Sequence, residues 1–142
     1  KRSVPLRDFF FGPGKTVLKA GEMLQSIFIP NPPDGARSAY FKQSPRKAMD
    51  LAVVGVAVLA AIGESRDVRI ALAAVAPTPL RLPDVEEYLK SAVVVDDALL
   101  AESAAMAARA ARPISDVRAS AEYRQEMVHQ LVLRALKEVL LD

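Results

Sequence analysis

A cluster of charged side chains lies where an alternating strand pattern breaks off within the 142-residue chain. The stretch Ser38–Asp50 begins as a strand, turns into a loop at its proline and carries Lys42, Arg46 and Lys47 before it ends at Asp50. A cationic loop held between two strands is a good position for contact with an anionic or electron-rich ligand. The alternative is an ordinary solvated basic hairpin, which the spacing by itself also allows.

Composition limits what other chemistry the chain can do. It has no cysteine, which excludes disulfides, thiolate metal sites and iron–sulfur clusters built from its own residues. His129 is the only histidine, which removes most zinc sites and Ser-His-Asp triads, and its position beside an apolar helix face indicates a structural role. No paired carboxylates or nucleophile–base pair stand out. We therefore predict no catalytic residue and no metal ligand.

Length and hydropathy predict one soluble domain. Hydrophobic residues make up 51% of the chain and charged residues 25%, which is ordinary for a globular protein. No apolar run approaches the roughly 20 residues that span a bilayer, and no secretory signal is visible. The sequence therefore predicts no membrane span and a cytoplasmic location.

Charge is distributed unevenly along the chain. Residues 1–49 hold nine Lys and Arg against three Asp and Glu, a net charge of +6, whereas residues 50–142 hold ten against fourteen, a net charge of −4. A basic leading third suits an anionic ligand, a nucleic acid or an acidic partner. Aromatic residues make up only 6% of the chain and no nucleic-acid motif accompanies the charge, so a nucleic-acid partner is not predicted.

The order of secondary-structure signals indicates an α+β fold. Strands are predicted at Gln25–Pro30, Ser38–Gln43, Leu51–Ala61 and Val68–Val75, from β-branched content and flanking turn residues. Leu51–Ala61 would also suit a helix by its alanine content, but its valines favour a buried strand. Strands first and helices last predict an antiparallel sheet of three to four strands covered on one face by about three helices.

Three helices are predicted in the second half. The first starts near Pro83, the second runs from Asp96 or Asp97 to Ala111, and Ser120 is a good N-cap for the last. Apolar residues recur along one face of the last helix and predict its buried side: Tyr123, Met127, Val128, Leu131, Val132, Ala135, Leu136, Val139 and Leu140.

The first 21 residues are predicted to be loop-rich. Phe9, Phe10 and Phe11 need a partner surface, which is either the domain's own core or an upstream domain. The segment Gly12–Thr16 has some likeness to a phosphate loop, but it lacks the full G-x-x-x-x-G-K-[ST] spacing and no helix signal follows it. A nucleoside triphosphatase is therefore not predicted.

Three separated blocks resemble one known family, in the family's order. The first comprises Asp8–Thr16 with Gly21–Leu24 and Ile27–Pro30, the second is Ser38–Asp50, and the third is Pro113–Arg124. Together they resemble the C-terminal domain of the FAD-binding subunit of molybdenum hydroxylases, the group of aerobic carbon monoxide dehydrogenase and xanthine dehydrogenase. The blocks extend over almost the whole chain.

The resemblance implies a role in electron transfer. In the family, the FAD subunit takes electrons through iron–sulfur clusters on one subunit from a molybdenum–pterin centre on another, and the flavin passes them to NAD or another acceptor. The family's pyrophosphate-binding glycines lie in the preceding domain, and no G-x-G-x-x-G occurs among the six glycines here. We therefore expect residues 1–21 to connect from an FAD-binding domain and residues 22–142 to form an α+β domain that supplies one wall of the flavin site.

The same resemblance implies four cofactor-binding residues. Leu24 matches a leucine that lies over the flavin ring, Lys42 a lysine near the polar edge of the ring, and Arg46 and Asp50 positions in a flexible loop beside it. A cation there would favour the reduced flavin electrostatically. Where xanthine dehydrogenase has an acidic pair, this chain has Met49 and Asp50. The sequence is therefore more similar to the three-subunit, carbon monoxide dehydrogenase-like branch.

Two other functions remain open at this level. A protein-interaction or dimerisation module could have kept the fold and lost the flavin, and a homodimer is compatible with either function. The basic leading third would also suit a nucleic-acid-binding domain. An FAD-binding segment encoded upstream would distinguish the first function from both.

Overall fold

The computed structural model describes residues 1–46, 49–63 and 66–141. A single 3-10 turn, Leu6–Asp8, precedes a two-stranded hairpin of β1 (Phe10–Gly12) and β2 (Lys15–Thr16). Four strands follow in the antiparallel order β3-β4-β5-β6, and then three helices. These elements are β3 (Arg37–Gln43), β4 (Val54–Ile62), β5 (Arg66–Ala73), β6 (Leu80–Arg81), α1 (Pro83–Ser91), α2 (Asp97–Ala110) and α3 (Ala121–Leu140). The predicted α+β class with a helix-covered antiparallel sheet is confirmed.

The register of the sheet separates a buried face from an open one. Val56 pairs with Phe41 on β3 and with Leu72 on β5, and Val58 pairs with Ala39 and Ile70. Because side chains alternate along a strand, these residues share one face, and that face packs against the helices. Tyr40 and Lys42 lie on the opposite face, as the alternation predicts.

The core lies between the sheet and the helices. Val54, Val56, Ile70, Leu72 and Val75 from the sheet side are fully buried. The helices contribute further fully buried residues, which are Leu89, Leu100, Ala104, Ala107, Val128, Val132, Ala135 and Leu136. The alanines of α2 let its backbone approach α3 closely, which explains why this helix is so rich in small residues.

Local caps place the helix starts where the sequence predicts them. Asp96 Oδ1 accepts a hydrogen bond from Leu99 N at 2.8 Å, and Ser120 Oγ accepts one from Tyr123 N at 3.2 Å. Each satisfies a backbone N–H that a helix start leaves without a partner. Pro83 is the first residue of α1, where its missing N–H costs nothing.

The buried face of α3 differs from the prediction at its first turn. Tyr123 is 45% exposed, whereas Arg124 is only 2% exposed. The prediction of Tyr123 as a core residue is wrong, because the spacing of Val128, Val132 and Leu136 continues back to position 124. A buried arginine was not anticipated, since charged side chains are rarely buried unless they are paired.

The predicted strand at Gln25–Pro30 is wrong. Residues 23–33 have no helix or strand, and Ile27, Phe28 and Ile29 are exposed, Phe28 by 89%. A strand forms when its backbone groups find a neighbouring strand, and β3 pairs with β4 rather than with this segment.

The three consecutive phenylalanines do not enter the core. Phe9 and Phe10 pack edge to face with ring centroids 5.1 Å apart, and Phe11 is exposed. The interpretation that they fill the domain's own core is therefore wrong. Their packing against an upstream domain stays a prediction.

Residues 1–36 are linked mainly to themselves. Arg2 pairs with Glu22 at 2.7 Å, and this ion pair with the hydrogen bond from Lys19 N lowers the pKa of Glu22 to about 2. Within residues 1–46, 49–63 and 66–141, no hydrogen bond joins residues 1–36 to the rest. Among the described residues, no helix is long and apolar enough to cross a membrane.

Candidate functional site

Lys42 lies on the open face of the sheet, near the end of β3. Its side chain is exposed, and its Nζ donates a hydrogen bond to the backbone carbonyl oxygen of Asp50 at 2.7 Å. The ammonium group is therefore held at a defined position by the loop that follows β3. The positive charge remains accessible from the open face.

Asp50 organises the loop around it. Its Oδ1 accepts a hydrogen bond from Leu51 N at 2.8 Å, and its Oδ2 accepts one from Arg46 N at 3.1 Å. The Arg46 guanidinium lies 3.4 Å from the same oxygen. Desolvation acts to raise the pKa of Asp50, but these hydrogen bonds and the Arg46 charge outweigh it and lower the pKa below its ordinary value. The carboxylate is therefore ionised at neutral pH and holds the loop together.

Three of the four predicted site residues form one cluster. Lys42, Arg46 and Asp50 are joined by the hydrogen bonds given above. Leu24 is half exposed within residues 17–36, and no hydrogen bond in the described part of the chain connects its segment to this cluster. The role of Leu24 therefore stays a prediction. Lys47, which was named among the loop cations, falls outside the described residues.

An apolar floor continues from Lys42 across the open face. Tyr40, two residues before Lys42, is 64% exposed and lies over Gly55. A Cβ added at Gly55 would lie 3.4 Å from the Tyr40 hydroxyl oxygen and 3.3 Å from Ala73 Cβ, so the glycine leaves room for the ring. A shallow depression of about 360 Å³ opens beside it, with Ala57 and Ala71 among the lining residues.

Sequence reasoning missed Tyr40 as a site residue, although the signal was present. An aromatic residue two positions before an outward-facing lysine on the same strand points to the same side of the sheet as that lysine. Small residues at the facing positions of β4 and β5, Gly55, Ala57, Ala71 and Ala73, also indicate a face that leaves room for a flat group.

Arg124 and Asp116 form a second polar cluster behind the loop. Arg124 Nη2 donates to Asp116 Oδ1 at 2.7 Å, and Arg124 Nη1 donates to the carbonyl oxygens of Val53 and Ala74 at 2.9 and 3.0 Å. Hydrogen bonds from the Arg118 side chain and backbone, together with Arg124, hold the pKa of Asp116 far below its usual range. The Asp116 carboxylate is therefore ionised, and its partner Arg124 joins α3 to the backbone next to β4 and β5.

This second cluster was also missed, and its signal lay in the third sequence block. Arg124 occupies the position four residues before Val128, so its side chain points to the same side of α3 as the apolar stripe. A charged group there requires a partner of opposite charge. Asp116 lies in the segment between α2 and α3, which makes it a candidate for that partner.

The chain is an α+β domain of a defined class: an antiparallel sheet has helices on one face and an open face edged by cations on the other. A family model described as the CO dehydrogenase flavoprotein C-terminal domain matches residues 39–139. The chain belongs to this family, which confirms the resemblance identified from the three sequence blocks.

Individual relatives agree with this assignment. The chain is 33% identical over 140 residues to the xanthine dehydrogenase FAD-binding subunit of Escherichia coli O157:H7, covering 96% of the chain and 48% of the relative. It is 35% identical over 138 residues to the carbon monoxide dehydrogenase medium chain of Afipia carboxidovorans, covering 96% and 47%. The chain therefore spans about half the length of these relatives.

A solved structure has the same fold. A carbon monoxide dehydrogenase from Hydrogenophaga pseudoflava that lacks the Mo-pyranopterin moiety of its molybdenum cofactor superposes with a TM-score of 0.88 at 33% identity. The superposition covers 97% of this chain and 48% of the other. Because the family-model match begins at residue 39, the superposition also includes most of the residues that precede that match.

Proposed function

We propose that this chain forms one wall of the flavin site in the FAD-binding subunit of a molybdenum hydroxylase. The subunit would take electrons from iron–sulfur clusters and pass them through FAD to NAD or another acceptor. The single observation that supports this role best is the pairing of Tyr40 and the anchored Lys42 on the open sheet face. Because the chain belongs to the flavoprotein C-terminal domain family, we expect FAD to be the ligand at that face.

The residues on the open face fit a flavin ring as one wall of a site. Gly55, Ala57, Ala71 and Ala73 make a flat floor of small side chains, and Tyr40 offers an aromatic ring beside it. Aromatic rings stack favourably on flat π systems. When bound, FAD supplies the two-electron chemistry that no residue of this chain can provide.

The charged cluster is suited to tune that chemistry. Lys42 would present a positive charge to the polar edge of the ring, and its bond to the Asp50 carbonyl oxygen limits where that charge can move. Because Arg46 is paired with Asp50, its charge is partly compensated, and the net charge of the three side chains is +1. Lys42 is therefore the residue expected to act on the flavin, whereas Asp50 shapes the loop.

A preceding FAD-binding domain would complete the site. The pyrophosphate-binding glycine motif is missing from this sequence, so the dinucleotide would be held mainly by that domain. Ile27, Phe28 and Ile29 are exposed and suit burial against such a domain, where Leu24 could reach the ring. A molybdenum–pterin subunit and an iron–sulfur subunit would be the further partners.

A redox titration of the complete subunit tests the role of Lys42. Reduction adds negative charge at the ring, so Lys42→Ala should lower the flavin midpoint potential, by about 30 mV for every 1.4 kcal/mol of lost interaction. Lys42→Arg keeps the charge and should stay close to wild type. Lys90→Ala, which removes an exposed lysine at the end of α1, is the control.

The same titration separates the proposal from its rivals. Equal potentials in all variants at equal flavin content would contradict the role of Lys42. A complete subunit that binds no FAD would instead favour an interaction or dimerisation module, for which the exposed run Ile27–Ile29 would supply the interface.

A further inference from the structure

The buried Arg124 and its partly buried partner Asp116 lie directly behind the loop that carries Arg46 and Asp50. We infer that Arg124, held by Asp116, is a positioning residue that fixes this loop and thereby the charges presented on the open face. The loop is described at residues 44–46 and 49–52. The inference rests on the proposed function only for its effect on flavin, and the loop itself can be tested without flavin.

The first contact of Arg124 is with a residue at the base of the loop. Val53 N donates to the carbonyl oxygen of Gln43 at 2.8 Å, which brings the two ends of the loop together. The carbonyl oxygen of Val53 then accepts from Arg124 Nη1 at 2.9 Å. The Gln43 side chain, at the other end, donates to the Tyr123 hydroxyl oxygen at 3.5 Å. Both ends of the loop are therefore attached to the first turn of α3.

The second contact of Arg124 holds the neighbouring strand connection. Arg124 Nη1 also donates to the carbonyl oxygen of Ala74, just after β5. Ala74 has a φ of 64°, a left-handed conformation that an alanine keeps only where its surroundings hold it. The same guanidinium therefore fixes the approach to β4 and the exit from β5 relative to each other.

Asp116 offsets the cost of burying the charged guanidinium of Arg124 in the core. The guanidinium of Arg124 is buried, and its Nε has no hydrogen-bond partner among the residues that the structure describes. The Asp116 carboxylate supplies the compensating charge and is itself held by Arg118 and by the N–H of Ala119. A buried ion pair seldom adds net stability over an apolar replacement, so its contribution here is the geometry it imposes.

The backbone and the hydrogen bonds of the loop connect Val53 to the exposed charges. Leu51 N donates to the Asp50 carboxylate, and the Asp50 carbonyl oxygen accepts from Lys42 Nζ. A shift of Val53 therefore displaces the acceptor that orients the Lys42 ammonium. Arg46 moves with it, because its N–H and guanidinium share one Asp50 oxygen.

Amide hydrogen exchange on the chain tests this inference directly. We expect Arg124→Lys to keep the charge next to Asp116 but to lose at least one of the two carbonyl contacts. Exchange at the Arg46 and Leu51 amides should then accelerate about tenfold relative to the core amide of Val58, because loss of a hydrogen bond to a charged group loosens the segment locally. Asp116→Asn is the second variant, should Arg124→Lys not fold, and should accelerate the same two amides.

Arg66 provides a matched control at the opposite end of the sheet. Its Nη1 also donates to two backbone carbonyl oxygens, those of Leu89 and Ala92, at 2.6 and 3.1 Å. Arg66→Lys makes the same chemical change in a partly buried setting far along the strands from the loop. It should leave exchange at Arg46 and Leu51 unchanged relative to Val58. Equal acceleration in both variants, or none in Arg124→Lys and Asp116→Asn, would overturn the inference.

The flavin is read out separately in the complete subunit. Arg124→Lys, but not Arg66→Lys, should shift the visible absorption band or the midpoint potential of bound FAD. Faster amide exchange in the loop, with the absorption band and midpoint potential of FAD unchanged, would support the positioning role of Arg124. It would refute the placement of this loop beside the flavin ring. If amide exchange in the loop stays slow in Arg124→Lys and Asp116→Asn, the positioning role is refuted, whether or not the absorption band or the midpoint potential of FAD shifts.

Discussion

At the scale of single residues, the important distinction is between charges that face a ligand and charges that hold backbone. Lys42 is exposed, and its Nζ donates a hydrogen bond to the Asp50 carbonyl oxygen. Asp50 and Asp116 accept several hydrogen bonds each and have lowered pKa values, so both are anchors. The residues expected to touch a ligand are therefore Lys42 and Tyr40, and the carboxylates act through them.

The lowered pKa of Asp116 predicts a dependence of stability on pH. Since the folded-state pKa lies below the unfolded value of about 3.9, its contribution is present above that value and is lost as pH falls through the folded-state pKa. Denaturant unfolding at pH 7, 5, 4 and 3 should show Asp116→Asn less stable at pH 7, with the difference from wild type narrowing below about pH 4.

Val117→Ala is the control for this measurement. Val117 is a fully exposed neutral neighbour in the same segment, and its replacement leaves the carboxylate in place. Its stability should run parallel to wild type at every pH. A difference between wild type and Asp116→Asn that stays constant down to pH 3 would contradict the ionised pair.

At the scale of elements, α3 connects the core to the candidate site. Its middle and end bury Val128, Val132, Leu136 and Val139 against the sheet, and its first turn places Arg124 and Tyr123 beside the loop. Arg134 on the same helix lies 4.4 Å from the centre of the Phe41 ring, so the helix also contacts β3. A rotation of α3 would therefore disturb the core and the loop together.

Two substitutions test the rotation of α3. Leu136 is fully buried, so Leu136→Ala should reduce the free energy of unfolding by about 2–5 kcal/mol through lost burial and a remaining cavity. His129 is half buried and contacts Gln130, so His129→Ala should cost much less. The comparison is made by urea unfolding. A larger cost at His129 would mean that this residue has a role beyond packing.

At the scale of the whole molecule, buried residues and hydrogen bonds distinguish a leading segment, residues 1–36, from the rest of the chain. All buried core residues lie between Ala39 and Val139, and the hydrogen bonds of residues 1–36 in the described structure stay within that segment. The leading segment also carries exposed large apolar residues, among them Met23, Ile27, Phe28 and Ile29. The segment therefore contributes surface for a partner more than it contributes to the fold.

Removal of the leading segment tests this division. A chain of residues 37–142 should unfold cooperatively, with a melting temperature within a few degrees of that of the 142-residue chain, because the core is retained. Calorimetry provides the measurement. Loss of cooperative unfolding would mean that residues 1–36 are part of the fold.

The chain by itself should bind FAD weakly. It has no glycine-rich pyrophosphate motif, and one wall offers little area for the dinucleotide. The purified 142-residue chain should therefore be colourless, and a titration with FAD should show little quenching of flavin fluorescence. Stoichiometric flavin absorbance in the purified chain would mean that most of the site lies here.

Features that depend on local pattern were predictable from the amino-acid sequence. Valine content predicted β4, and apolar residues on one face predicted β5. Asp96 or Asp97 and Ser120 predicted the starts of α2 and α3, and alternation placed Tyr40 and Lys42 on one face. Each of these follows from strand period, helix period or capping, which act over a few residues. The three sequence blocks added the family, which was then confirmed.

Features that require partners distant in sequence became evident from the folded structure. Gln25–Pro30 has strand-like composition but no neighbouring strand, so it does not form one. Arg124 enters the core because Asp116, eight residues earlier, and the carbonyl groups of Val53 and Ala74 converge on it. Lys42 is anchored because the loop returns Asp50 to it. In each case the outcome depends on which backbone and charged groups meet after folding, and that information is not contained in the local pattern.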